Sequence, residues 1–217
     1  MATKRTYGDG CAIAHGLDLV GERWALLVVR ELLLGPKRFT DLKTGLPNAS
    51  PNVISDRLRE LEQAGLVTRE KLPPPAGSRV YALTDWGREL EPTVLSLGRW
   101  AARSPALPAD DPIGADSVAL ALKGHFDGRT TGGARGTYEL RLGDDRFRLE
   151  VSDEGVEVDR RDADRPDAVV HAEPGTLFAV LWAGQPLKDA LGSGEMSIEG
   201  DVGAVERLVR LYAVSTE

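Results

Sequence analysis

Cysteine is nearly missing from these 217 residues: Cys11 stands alone, so no disulfide can form within the chain. That suits a reducing compartment and leaves only a bridge between two chains. Long apolar runs are missing too, and no stretch reaches the roughly 18 residues of a membrane span. The basic start Met1-Ala2-Thr3-Lys4-Arg5 leads into no apolar run, so no signal peptide is expected and the cytoplasm is the expected location. His15, His125 and His171 are scattered and share no metal-ligand spacing with Cys11, so no metal is expected. Phosphate loops are missing: Gly132-Gly133-Ala134-Arg135-Gly136 is glycine-rich but precedes an expected strand, not a helix. Ser193, within Gly192-Ser193-Gly194, lacks the spacing of a nucleophile elbow. The expectation is a protein that is not an enzyme and needs no cofactor.

What is present is uneven. The net charge of −7 divides into +3 over residues 1–103 and −10 over residues 104–217. A mildly basic front and an acidic back suggest two modules with different partners. Between them, the three prolines of residues 104–112 and their lack of apolar periodicity read as a linker. The expected domains are therefore residues 1–103 and 113–217.

The front half reads as helices followed by a hairpin. Trp24, Leu27, Val28 and Leu32 predict a helix over residues 21–34, stopped by Gly35-Pro36. A short helix is expected from Thr40 as N-cap, with Leu42 buried. A third opens on Ser50 as N-cap with Pro51 at the first helical position, where a missing N–H costs nothing. Ile54, Leu58 and Leu61 mark its core face and Gly65 its end. Two strands, 66–72 and 79–83, flank a proline-rich tip, and Thr84-Asp85 caps a last helix through Trp100 that Pro92 kinks or begins. Three helices, a hairpin and a further helix are the order of a winged helix-turn-helix.

In that frame the third helix turns Asn52, Ser55, Asp56, Arg57 and Arg59 outward, where Asn can pair with adenine and Arg with guanine in the major groove. Ser50 and the helix start can donate to a phosphate. Arg38, Thr40, Lys43, Lys71 and Arg79 flank this helix and can hold the backbone. The competing view is an ordinary solvated helix face. Cys11 has two readings: a thiolate whose pKa is lowered by Lys4, Arg5 or His15, or a buried small apolar residue, the one the sequence favours.

The order of several motifs narrows the choice. Cys11, Gly21-Glu22-Arg23-Trp24, Gly35-Pro36-Lys37-Arg38-Phe39-Thr40-Asp41-Leu42, Leu58-Arg59-Glu60-Leu61-Glu62, Gly65-Leu66-Val67, Tyr81 to Leu90 and Trp100 together resemble the HxlR-type family of winged-helix regulators over roughly residues 8–103. The resemblance implies transcription regulation, a homodimer joined by the first and last helices of the domain, an inverted-repeat operator in double-stranded DNA, and in some members a sensing cysteine.

The back half reads as mixed α and β, which makes the whole an α+β chain. Residues 137–142, 147–151 and 155–160 alternate as an antiparallel meander. Residues 168–171 are a fourth strand, 175–182 and 184–191 helices, 196–201 a short strand, and 202–214 a closing helix. Asp167-Ala168-Val169-Val170, Leu177 to Trp182 and Gly194 to Asp201 resemble the sterol-carrier-protein fold. That resemblance implies an apolar ligand between helices and sheet, with Leu177, Phe178, Leu181, Trp182, Leu187, Leu191 and Ile198 as candidate lining. Ordinary core is the alternative for each residue. For the whole chain the alternative is a lipid or acyl-chain carrier whose winged helix mediates protein contacts.

Overall fold

The computed structural model describes residues 6–72, 77–108, 111–126 and 133–212. The Pro73-Pro74-Pro75-Ala76 tip, Lys4 and Arg5 lie outside them. The chain divides into two compact units, Met1–Val94 and Leu95–Glu217. The expected linker residues 104–112 fall inside the second, and those described form neither helix nor strand.

The first unit runs α1 (Ala12–Val20), α2 (Ala25–Leu33), α3 (Phe39–Gly45), α4 (Pro51–Gln63), β1 (Val67–Lys71), β2 (Arg79–Leu83) and α5 (Asp85–Arg88), with α6 (Glu91–Ala101) crossing its boundary. The helix expected from Gly21 begins only at Ala25. Gly21 closes α1 through its N–H to the Leu17 carbonyl at 2.8 Å, and Trp24 holds φ +77°. A side chain in the left-handed region breaks a helix, so the apolar periodicity spans a turn. Thr40 is not the cap of α3: Arg38 is, its N–H bonding the Asp41 carboxylate at 3.0 Å, which leaves Thr40 in the first turn.

Ser50 caps α4 as expected, its Oγ accepting from the Val53 N–H at 3.3 Å. Ile54, Leu58 and Leu61 are fully buried with Val28, Val29, Leu32, Leu42 and Leu46. Each such side chain contributes about 1.5–3 kcal/mol by leaving water. The two wing strands pair antiparallel, Val67 opposite Leu83 and Lys71 opposite Arg79. Thr84 Oγ1 accepts from the Gly87 N–H at 3.0 Å and so caps the short α5. Pro92, in the first turn of α6, begins that helix instead of kinking a longer one.

The second unit adds α7 (Ala115–His125), β3 (Gly136–Leu142), β4 (Asp145–Val151), β5 (Val156–Asp159), β6 (Ala168–Ala172), α8 (Pro174–Trp182), α9 (Leu187–Ser193), β7 (Met196–Gly200) and α10 (Val202–Tyr212). The sheet order is β5-β4-β3-β6-β7. The expected meander β3-β4-β5 is antiparallel, whereas β6 lies parallel to β3. Tyr138, Leu140, Leu142, Phe147, Leu149 and Val170 form its core with Val118, Leu122, Leu177, Leu181, Val205 and Leu208. α7 is an addition to the expected elements. It buries seven of its eleven residues, and a helix covered on most sides shows no amphipathic stripe. α9 starts at Leu187, not Gly184, because Pro186 takes the N-cap position.

Candidate nucleic-acid interface and ligand region

Asn52, Ser55 and Arg59 lie three and four residues apart on α4 and all are exposed, forming one stripe opposite the Ile54–Leu58–Leu61 core. Ser50 is exposed at the same helix's start, where unpaired amides and the helix dipole favour an anion. Arg59 pairs with Asp56 at 2.7 Å on that surface. Arg38 and Thr40 are exposed at the start of α3. Lys71 and Arg79 face each other across the wing, both exposed. Lys43 is half-buried and donates to the Pro47 carbonyl at 2.7 Å, bracing the turn between α3 and α4.

Arg57 does not join the outward stripe. Its side chain is 15% exposed and pairs with Glu60 at 3.0 Å and Glu22 at 3.3 Å, tying α4 to the turn before α2. The signal was available in the spacing. Arg57 stands three residues after Ile54 and four before Leu61, on the inward side of the helix.

Sequence reading also missed Glu31. This carboxylate is buried in α2, and it holds Lys37 Nζ at 2.6 Å and Arg30 Nη2 at 2.6 Å. Lys37 in turn exchanges backbone hydrogen bonds with Tyr81 of β2 at 2.9 and 2.8 Å. The wing is thereby fastened by backbone to Lys37, and Lys37 by charge to α2.

Cys11 is exposed, which overturns the buried apolar reading. It takes the N-cap position of α1 without a geometric capping bond, but the nearby amides of Ile13 and Ala14 hold its thiol below the ordinary cysteine range. A lowered pKa places thiolate, the alkylated species, at lower pH. Alkylation by iodoacetamide is therefore expected to reach half its limiting rate at a lower pH than for a free cysteine. A rate profile coincident with that of free cysteine would refute this.

In the second unit Leu177 and Leu181 are buried, and Phe178, Trp182, Leu187, Leu191 and Ile198 are half-buried. Trp182 packs against Phe178, His125 and Tyr212 with ring centroids 5.4, 5.6 and 5.8 Å away. The Tyr212 hydroxyl donates to the Leu122 carbonyl at 2.8 Å, and burial pushes its pKa well up. Of the candidate lining residues, Phe178 and Trp182 thus share one aromatic cluster with His125 and Tyr212.

The HxlR-like helix-turn-helix family matches residues 19–106, and the SCP-2 sterol transfer family matches residues 129–213. YvaP of Bacillus subtilis, an uncharacterized HTH-type transcriptional regulator, is 40% identical over 85 residues, which cover 39% of this chain and 79% of YvaP. The HTH-type transcriptional regulator YodB of the same organism is 36% identical over 84 residues, covering 39% and 75%. The reduced form of YodB aligns with a TM-score of 0.40 and 31% identity, over 45% of this chain and 97% of that one.

Proposed function

This chain belongs to the HxlR-like helix-turn-helix family and is a transcriptional regulator of that type, and from that premise we propose that it binds an inverted-repeat operator as a homodimer. The observation that carries the reading is the exposed Asn52–Ser55–Arg59 stripe on a helix opened by Ser50 and flanked by Arg38, Lys71 and Arg79. Side chains on the stripe supply base contacts, and the flanking cations supply phosphate contacts. A carrier whose winged helix met only proteins would have no need of that arrangement. Asn52→Ala is expected to weaken operator binding by about 1–3 kcal/mol while sparing non-specific duplex. Equal losses on both DNAs in a gel-shift titration would remove Asn52 from base reading.

The homodimer rests on what α1 and α6 leave uncovered. Neither helix buries a single residue, and Ile13, Leu17, Leu97 and Trp100 are exposed. Apolar helix faces of this kind suit burial against a second copy, and two-fold symmetry would set the two α4 helices about one DNA turn apart.

For the back module we propose that residues 113–217, joined through 104–112 to the DNA-reading residues 1–103, hold an apolar ligand between helices and sheet. The match to a sterol transfer family and the cluster around Trp182 support this. Ligand affects DNA affinity only through a difference in affinity for two dimer arrangements, typically worth about 1–3 kcal/mol. Oleate is expected to shift Trp182 emission. Unchanged emission and DNA affinity at saturating oleate would make the module structural. Among the described residues no helix is long and apolar enough to cross a membrane, and a cytoplasmic location completes the proposal.

A further inference from the structure

The second unit carries a polar cleft of about 600 Å³ at one end of its sheet, separate from the apolar lining residues above. Strand register explains four of its lining residues. Arg146 of β4 pairs with Arg141 of β3, Arg141 with His171 of β6, and His171 with Ser197 of β7. Four hydrogen-bonding side chains therefore stand in one row across four strands, and all four line the cleft.

Such a row is unfavourable by itself, because like charges directly opposite on neighbouring strands repel. Carboxylates one step behind relieve part of this. Glu139, nearly fully buried, accepts from Arg141 Nε at 2.6 Å and from the Ala163 N–H at 2.9 Å, and Glu199 meets His171 Nε2 at 3.0 Å. Arg146 is held more loosely, 4.0 Å from Glu139 and 3.8 Å from Asp162, with half its side chain exposed. A guanidinium has five N–H donors, and Glu139 engages only the Nε of Arg141. Carboxylates line the same cleft, Asp144, Glu173 and Glu195, all three exposed, with Glu195 also accepting from Gln185 and Ser193.

A cleft lined by two guanidiniums and three carboxylates selects a molecule with both charges. We propose that this cleft binds a small zwitterion, its phosphate or carboxylate against Arg141 and Arg146 and its amine against Asp144, Glu173 and Glu195. Two guanidiniums supply charge-assisted hydrogen bonds of the geometry an oxyanion accepts, and the three carboxylates make an anion without an amine the poorer ligand.

Phosphoethanolamine is the probe, titrated calorimetrically into the full-length chain, with inorganic phosphate and ethanolamine separately as controls. Saturable binding of phosphoethanolamine is expected, weakened about tenfold or more by Arg146→Gln at the anion end and by Asp144→Asn at the amine end. Both substituted side chains are solvent-facing, so the fold should survive. Vesicles of phosphatidylethanolamine in phosphatidylcholine form a second arm. Binding there alone, lost in Arg146→Gln, makes the zwitterion a lipid headgroup, and binding of the free molecule makes it a soluble one. Failure of both arms overturns the proposal. So does phosphate bound as tightly as phosphoethanolamine, or affinity untouched by Arg146→Gln.

Discussion

Glu31→Ala is expected to destabilise the first unit by about 3–5 kcal/mol, the cost of breaking a buried ion pair by removing one of its members. Glu31 and Lys37 are 2% and 9% exposed, so solvent cannot replace the lost carboxylate. Room for that carboxylate is reserved by Gly45, where a Cβ would lie 2.1 Å from Glu31 Oε2. Because Lys37 also bonds the wing strand through its backbone, the loss reaches β2 as well as α2. A pair matched in volume but uncharged, Glu31→Leu with Lys37→Met, should recover most of the stability, since the charges stabilise chiefly relative to a broken pair. Thermal denaturation checks both. A melting temperature for Glu31→Ala within about 2 °C of the parent, equivalent to less than 1 kcal/mol in a domain this size, would refute the argument.

Gly200→Ala is the second large effect, expected at about 2–4 kcal/mol in the second unit. Two independent costs combine there. Gly200 holds φ +91°, a conformation that side chains rarely adopt. A Cβ would also lie 2.5 Å from the Asp167 carbonyl oxygen, and that oxygen cannot retreat because it accepts the Asp201 N–H at 2.9 Å. Asp167 is fixed in addition by its carboxylate, which accepts from Thr137 N at 2.8 Å. The substitution thus strikes the point where β3, β6, β7 and the start of α10 are tied together. Urea denaturation reads the loss, and a midpoint equal to that of the parent would show that the strand end can move.

The elements that were legible in sequence are those that bury one side only. α4 announced itself through Ser50-Pro51 and the spacing of Ile54, Leu58 and Leu61, and the wing through two short strands around prolines. Legibility failed where local pattern and tertiary setting part company. The break at Trp24 is a backbone conformation that apolar spacing does not register. α7 is buried on most of its surface and has no stripe to read. Arg57 was placed outward on residue type, although its spacing put it beside the core and its partners Glu22 and Glu60 hold it there. The row Arg146–Arg141–His171–Ser197 was invisible because it depends on strand register, including one parallel pairing, across residues more than fifty positions apart. Glu31 was overlooked because nothing in a helix pattern distinguishes a paired buried carboxylate from a solvated one.

The first unit is expected to read duplex DNA through α4, with Arg38 at the start of α3 and Lys71 and Arg79 of the wing on the phosphates. The direct measurement is fluorescence anisotropy of the full chain on duplex from its own upstream promoter, repeated across salt concentrations. Log K is expected to fall linearly with log salt by about 0.9 per phosphate contacted, and Arg38→Ala to flatten this slope by about one contact while weakening operator and random duplex alike. Binding that is insensitive to salt, or a slope unchanged by Arg38→Ala and by Lys71→Ala with Arg79→Ala, would contradict it.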